Sequence, residues 1–205
     1  MYYPTDPLTL GQILRNYHCM SDACMDLLDR ISVKESYGKK EVIVRQDLVC
    51  DSIYFISSGL VRIGFEKNGK HDTVCFGSAG DIFMSFHSFL GREPAAFSLI
   101  SISKVSLFRI TTRKFKMAQE RFPELYRLQA NIMTEQLYSF EVLYKKLVLS
   151  APEERMRNFW DYSIDDLRKP PVRSVLQSVP MTVIAQYLGI TPQTLSKLRR
   201  KQLGR

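Results

Sequence analysis

The chain has 205 residues, 45% of them hydrophobic, and a formal net charge of +8. That length supports one large or two small cores, and no apolar run reaches the roughly 18 residues of a membrane span. The N-terminal MYYPTDPLTLGQIL has no basic stretch followed by an apolar one, so no secretory signal is expected and a cytoplasmic protein is.

In chain order, residues 8–35 are expected to be helical, with Leu10, Ile13, Leu14 and Tyr17, then Met25, Leu27, Leu28 and Ile31, at helix-like spacing. From Val42 the period changes to two. Residues 42–44 and 53–56 read as strands, and 60–66 carries Val61, Ile63 and Phe65 on one face. Asn68-Gly69 is a strong hairpin signal, and 71–76 returns from it. Residues 77–81 read as a turn, 82–86 as a short apolar stretch, and 97–102 and 105–110 as two further strands around Ser103-Lys104. Seven or eight short strands at regular spacing predict an antiparallel roll or barrel.

A short helix is expected over 111–120 and a long one over 122–150. The apolar positions of the long helix include Leu125, Leu128, Ile132, Leu137, Phe140, Leu143 and Leu147, mostly three or four apart. About 28 residues at 1.5 Å each span about 40 Å. One reading packs the whole stripe on the roll. Its length favours the other, a homodimer seam that includes Leu125, Leu128, Ile132, Phe140, Leu143 and Leu147. Ser150-Ala151-Pro152 ends this helix. Glu153 and Glu154 suit the first turn of the next, which carries Met156, Phe159, Trp160 and Tyr162. Lys169-Pro170-Pro171 is a break, and 172–179 reads as a possible strand.

Residues 181–200, MTVIAQYLGITPQTLSKLRR, read as two short helices meeting at a corner. Ile184, Ala185, Leu188, Leu195 and Leu198 form the inward set. Gly189 tolerates the left-handed backbone of a sharp corner. Thr191 is placed to cap the second helix, with Pro192 at its first position. The outer face then carries Gln193, Thr194, Ser196, Lys197, Arg199 and Arg200. This is a helix-turn-helix whose second helix suits double-stranded DNA. Charge supports that reading. Residues 167–205 hold eight basic residues and no acidic one, while the 21 basic and 21 acidic residues before them cancel.

Roll, long helix and C-terminal helix-turn-helix together resemble the Crp/Fnr superfamily of bacterial transcription regulators, and within it the short members common in Bacteroidetes. The resemblance rests on IYFISSGLVRI (53–63), the Gly80-Asp81 turn, SAPEERMRNF (150–159) and IAQYLGITPQTLSKLRRK (184–201). It implies an α+β protein in three parts: a cyclic-nucleotide-binding-like β-roll with N-terminal helices (1–121), a dimerisation helix (122–150) and a winged-helix or helix-turn-helix domain (151–205). It further implies a homodimer on a palindromic operator, with RNA polymerase as a possible further partner. By position Gln193, Thr194 and Lys197 match the family's base-reading residues. Lys197 stands where Arg is usual, so guanine would be met by a point charge rather than a fork. Thr182, Thr191, Arg199, Arg200 and Lys201 are expected on phosphates. The wing falls either to 172–179 or to a tail beyond Arg205.

The effector region departs from the family. Relatives that bind cyclic AMP carry Gly-Glu after the Gly-Asp turn, then Arg-Ser before a later strand. Here Met84 and Ser85 hold the first pair of positions and Ala95-Ala96 the second, with Arg92 early and in a loop. A cyclic phosphate buried without a cation is costly, so cyclic AMP is not expected as effector. Phe83, Met84, Ser85, Phe86, Arg92, Ala95, Ala96 and Phe97 delimit the expected effector pocket, whose ligand stays open. Phe83, Met84, Phe86, Phe89 and Phe97 read more readily as core than as a ligand box. No cofactor is expected. His87 and Cys75 are weak candidates for haem. Cys19, Cys24, Cys50 and Cys75 fit neither a zinc pattern nor a disulfide framework and are scattered for an iron–sulfur cluster. An enzyme is not expected: His71 and His87 stand sixteen apart without H-x-H, and P-loop and nucleophile-elbow motifs are lacking. The alternative to a DNA-binding regulator is a ligand-, redox- or haem-sensing module that signals through a protein partner.

Overall fold

The computed structural model describes residues 6–67, 70–161 and 179–203. Its contacts divide the chain into two units, one of residues 6–136 and one centred on 137–205. The division falls inside the helix predicted over residues 122–150.

In the first unit, α1 (Leu10–Arg15) starts at a capping box: Thr9 Oγ1 accepts the Gln12 N–H at 3.2 Å, and Gln12 Oε1 accepts the Thr9 N–H at 2.8 Å. α2 (Asp22–Ile31) follows. The helix predicted to reach residue 35 stops earlier. Ser32 is extended, and β1 (Val33–Tyr37) pairs antiparallel with a strand seventy residues on. Lys34 and Glu35 are good helix formers locally, but the sheet partner decides.

The remaining strands are β2 (Val42–Val44), β3 (Ser52–Ser58), β4 (Leu60–Lys67), β5 (Lys70–Ser78), β6 (Ile82–Met84), β7 (Ser98–Ser101) and β8 (Val105–Thr111). They form two four-stranded sheets, ordered β1-β8-β3-β6 and β2-β7-β4-β5, with every pairing antiparallel. β4 and β5 pair from Leu60↔Ser78 to Lys67↔Lys70 with one register shift between Ile63 and Gly64, while Asn68-Gly69 lies outside the described residues. β3 turns into β4 at Gly59, whose φ is +93° and where a side chain would collide with the Lys104 carbonyl.

β3 is buried on both faces, and this sets the two cores of the unit. Ile53 and Phe55 pack with Leu10, Ile13, Leu14, Cys24 and Leu28 of the N-terminal helices. Tyr54 and Ile56 face the other way, against Val44, Val61, Leu99, Val105 and Leu107 between the sheets. Alternation along a strand produces this division.

Thr111 caps α3 (Thr112–Arg121) by accepting the Lys114 N–H at 3.4 Å, and α4 (Glu124–Leu149) is one continuous helix. Its predicted dimer seam is corrected here. Leu125, Leu128 and Ile132 are 0–1% exposed and belong to the core with Phe55 and Phe115. The N-terminal half of the helix has a groove of its own to fill, so these three are unavailable to a second chain. Polar hooks fix that half. Glu124 accepts from the Ser21 hydroxyl at 2.6 Å, Asn131 donates to the Tyr17 carbonyl at 2.7 Å, and Gln136 donates to the Ile82 carbonyl at 3.0 Å. Further along, four of the described apolar side chains are exposed. Leu137 is 63% exposed, Tyr138 66%, Phe140 47% and Tyr144 67%. Leu143 and Leu147 lie outside the side chains described.

The second unit contains α5 (Pro152–Asp161), α6 (Met181–Tyr187) and α7 (Pro192–Leu203). Residues 162–178 are not described, so most of the possible strand over 172–179 lies outside the structure. Among the described residues no helix is long and apolar enough to cross a membrane.

Candidate nucleic-acid interface and ligand-binding region

α6 and α7 meet at the corner the sequence predicts. Leu188 closes α6, Gly189 follows with φ +61°, and the Ile190 N–H returns to the Ala185 carbonyl at 3.0 Å. A methyl group at Gly189 would be strained and would lie 3.3 Å from Arg155 Nη1 of α5. Ile184, Ala185, Leu188 and Leu195 are buried, and Leu198 is half-buried. Thr191 Oγ1 accepts the Thr194 N–H at 3.1 Å, capping α7 ahead of Pro192.

The outer face of α7 is exposed at Gln193, Ser196, Lys197, Arg199, Arg200 and Lys201. Gln193, Lys197 and Arg200 stand at i, i+4 and i+7 and share one stripe. Thr182 and Thr191 are exposed, and Arg199 Nη1 sits 3.6 Å from Met181 Sδ at the start of α6. Thr194 differs from its neighbours. It is half-buried, and its hydroxyl lies 2.9 Å from that of Thr191 within the cap. The first turn of α7 holds no acidic residue. The cations instead follow along the second half of the helix, with Arg200 and Lys201 in its last turn.

The predicted effector residues do not gather around one cavity. Phe83 and Ala95 pack between the sheets, whereas Met84 and Phe86 pack on the helical core. Neighbours on β6 point to opposite faces. Ser85, in the position expected to meet a ribose, is 8% exposed and donates to Ser88 Oγ at 3.2 Å. Ser88 in turn donates to the Glu93 carbonyl at 2.7 Å and accepts the Cys50 N–H at 3.0 Å. Arg92 is exposed, with φ +57°, at the end of a π-helical turn, His87–Gly91. Ala96 is exposed and Phe97 half-buried. His87 is a surface residue, 60% exposed and 3.7 Å from Glu93, and Cys75 is half-buried on β5; the side chain of His71 lies outside the described set.

A polar network that the sequence reading missed runs across three strands instead. The Tyr37 hydroxyl donates to Glu35 Oε2 at 2.7 Å, and Arg109 Nε donates to Glu35 Oε1 at 2.6 Å. Arg109 Nη1 reaches Ser52 Oγ at 3.2 Å, and Ser52 donates to Asp51 Oδ1 at 2.6 Å. Burial, then the bond to Glu35, pushes the Tyr37 phenol up to about 12. Reading β1 as helix hid this network, because it removed Glu35 and Tyr37 from the sheet.

Residues 34–121 match the cyclic nucleotide-binding domain family, a stretch that opens in β1 and closes with α3. The chain is also 27% identical over 185 residues to the transcriptional activatory protein AadR of Rhodopseudomonas palustris, covering 85% of this chain and 74% of that one. Solved structures share its fold. A CooA mutant from Carboxydothermus hydrogenoformans matches with TM-score 0.68 and 19% identity over 94% of this chain and 84% of its own. The c-di-GMP responsive global regulator CLP of Xanthomonas campestris matches with TM-score 0.71 and 13% identity over 90% of this chain and 92% of its own.

None of the four cysteines forms a disulfide, and they are not equivalent. Cys24 is fully buried, and burial together with the Glu124 carboxylate pushes its thiol up to about 12. Cys50 is 7% exposed, and burial raises its thiol as well. Cys19 is exposed. Among the described residues no group of three or more His, Cys, Asp or Glu is placed to hold a metal ion. Iodoacetamide at pH 8 should therefore alkylate Cys19 within minutes and leave Cys24 and Cys50 unmodified until the protein is unfolded. Peptide mass mapping of the native and denatured protein checks this, and early modification of Cys24 would contradict it.

Proposed function

We propose that this chain is a sequence-specific DNA-binding transcription regulator that acts as a homodimer, and that its roll does not take cyclic AMP. The observation that carries the reading is the exposed row Gln193, Lys197 and Arg200 on a capped helix, in the segment that holds the whole net charge. Such a helix fits the major groove, with Gln193 and Lys197 on base edges and Arg199, Arg200, Lys201, Thr182 and Thr191 on phosphates. Thr194, predicted as a base reader, is better placed to hold the start of α7, since its hydroxyl is engaged by Thr191. AadR is described as a transcriptional activatory protein, and the similarity favours the same class of activity here, with RNA polymerase as the partner of an activator and the cytoplasm as the compartment.

Against cyclic AMP stands the closed hydrogen-bonding of Ser85 and Ser88 and the absence of a cation at Ala95, which is 1% exposed. A phosphate placed there would be buried unpaired. Two measurements test the proposal. Selection of bound duplexes from a random pool should return a palindrome with half-sites about one helical turn, roughly 34 Å, apart. Calorimetric titration with cyclic AMP and cyclic GMP should show no binding at micromolar concentrations. No enriched sequence at low salt, or micromolar binding of either nucleotide, would overturn the corresponding half.

A further inference from the structure

Sulfur is unevenly distributed along this chain. All four cysteines lie between residues 19 and 75, whereas residues 137–205 hold two methionines, Met156 and Met181, and no cysteine. Met156 is 2% exposed. Met181, the first residue of α6, is partly exposed. It is therefore the sulfur of this segment that a dissolved oxidant reaches, because susceptibility follows exposure.

That sulfur has a specific neighbour. Arg199 of α7, eighteen residues on, donates from Nη1 to Met181 Sδ at 3.6 Å. Among the described residues no carboxylate pairs with Arg199, and the residues that follow it, Arg200 and Lys201, are cations. A neutral thioether is a weak acceptor. The contact therefore directs the guanidinium towards the start of α6 but holds it loosely, which leaves it available to an anion. Arg199 and the exposed Thr182, next to Met181 in sequence, are both proposed phosphate contacts.

We propose that Met181 is a reversible oxidation site for hydrogen peroxide, and that its sulfoxide weakens DNA binding by capturing Arg199. The thioether sulfur attacks one peroxide oxygen, the O–O bond breaks and an S–O bond forms. The departing hydroxide takes the proton of the transferred hydroxyl and leaves as water. Sulfur loses two electrons and the peroxide gains them. The sulfoxide oxygen carries a large partial negative charge one bond out from the sulfur. A guanidinium already in contact with that sulfur gains a much stronger acceptor, and bonds from a charged donor are the strong ones. A phosphate must then break a bond that the thioether form does not offer. The effect on affinity rests on the DNA-binding reading, whereas the site and its contact with Arg199 do not.

The test treats the full chain with hydrogen peroxide and maps the products by peptide mass. Met181 should be converted along with exposed Met117, while Met84 and Met156, at 4% and 2% exposure, stay reduced. Arginine side-chain NMR without DNA should show one Nε–H resonance shifted by oxidation, and Arg199→Ala should remove that resonance. Against operator and scrambled duplexes at low salt, the oxidised chain should bind roughly fivefold more weakly or worse, by a similar factor on both, since a phosphate contact carries no sequence information. Met181→Leu keeps all four cysteines; it should retain the untreated affinity and resist peroxide. Arg199→Ala should bind more weakly and lose nothing further on oxidation. Methionine sulfoxide reductases should restore the wild type. A Met181 that stays reduced while Met117 is converted overturns the site. Peroxide that weakens Met181→Leu or Arg199→Ala as much as the wild type overturns the link to Arg199. A shifted resonance in a chain that binds no duplex even untreated supports the site, and overturns the DNA-binding reading together with the effect on affinity.

Discussion

Ile132→Ala should destabilise the N-terminal unit by about 2–5 kcal/mol, whereas Leu137→Asp combined with Phe140→Asp should leave its stability unchanged and abolish the proposed dimer. The two sites are two helical turns apart on α4 and differ in what surrounds them. Ile132 is 1% exposed and packs in the core with Phe55, Phe115 and Leu128. Shortening it to alanine removes transfer energy and leaves a cavity among its core neighbours. Leu137 and Phe140 are 63% and 47% exposed, so alanine there would cost little in a monomer. Aspartate at both positions places two charges per chain in any interface formed by that face, where desolvation opposes association. Amide exchange of β3 reports on the N-terminal unit alone, and sedimentation velocity reports on assembly. A double variant that remains dimeric at nanomolar concentration would place the dimer contact elsewhere, and Ile132→Ala with unaltered exchange in β3 would contradict the core assignment.

The division of α4 also shows where sequence pattern stops being informative. Steps mostly of three and four residues from Leu125 to Leu147 establish an apolar face but do not identify what covers it. The same spacing serves an intramolecular groove at Leu125, Leu128 and Ile132 and exposed positions at Leu137 and Phe140. The helix-turn-helix was legible because its determinants are local. Gly189 supplies the left-handed residue, Thr191 the cap and Pro192 the first position, all within four residues of one another. β1 was not legible because its partner, β8, is some seventy residues away, and Val33–Tyr37 taken alone favours a helix as readily as a strand. The effector region failed for a related reason. Phe83 and Met84 are adjacent in sequence but belong to different cores once the strand alternates.

Gln193→Ala and Arg200→Ala should both weaken binding to the selected operator, and they should be separable by a scrambled duplex and by salt. Gln193 lies in the first turn of α7, exposed, where a recognition helix meets base edges. Its amide can pair with an adenine edge through two hydrogen bonds, worth about 1–3 kcal/mol of discrimination per half-site. Its loss should therefore reduce operator affinity roughly 5- to 150-fold per half-site and leave the scrambled duplex nearly unaffected. Arg200 is two turns further along the same stripe and is a charge rather than a reader. Removing one phosphate contact per protomer should lower the magnitude of the slope of log K against log salt by about 1.8 for a dimer, at about 0.9 per contact. Both duplexes should lose affinity by a similar factor, most strongly at low salt. Thr194→Val adds a third pattern: its hydroxyl is held by Thr191 at 2.9 Å, so the loss should fall on both duplexes without any change in the salt slope. Titrations of each variant against both duplexes from 50 to 300 mM salt distinguish the three. If Gln193→Ala weakens operator and scrambled DNA alike, that side chain contacts the backbone. If Arg200→Ala leaves the slope unchanged, the basic face of α7 is not the surface that meets phosphate.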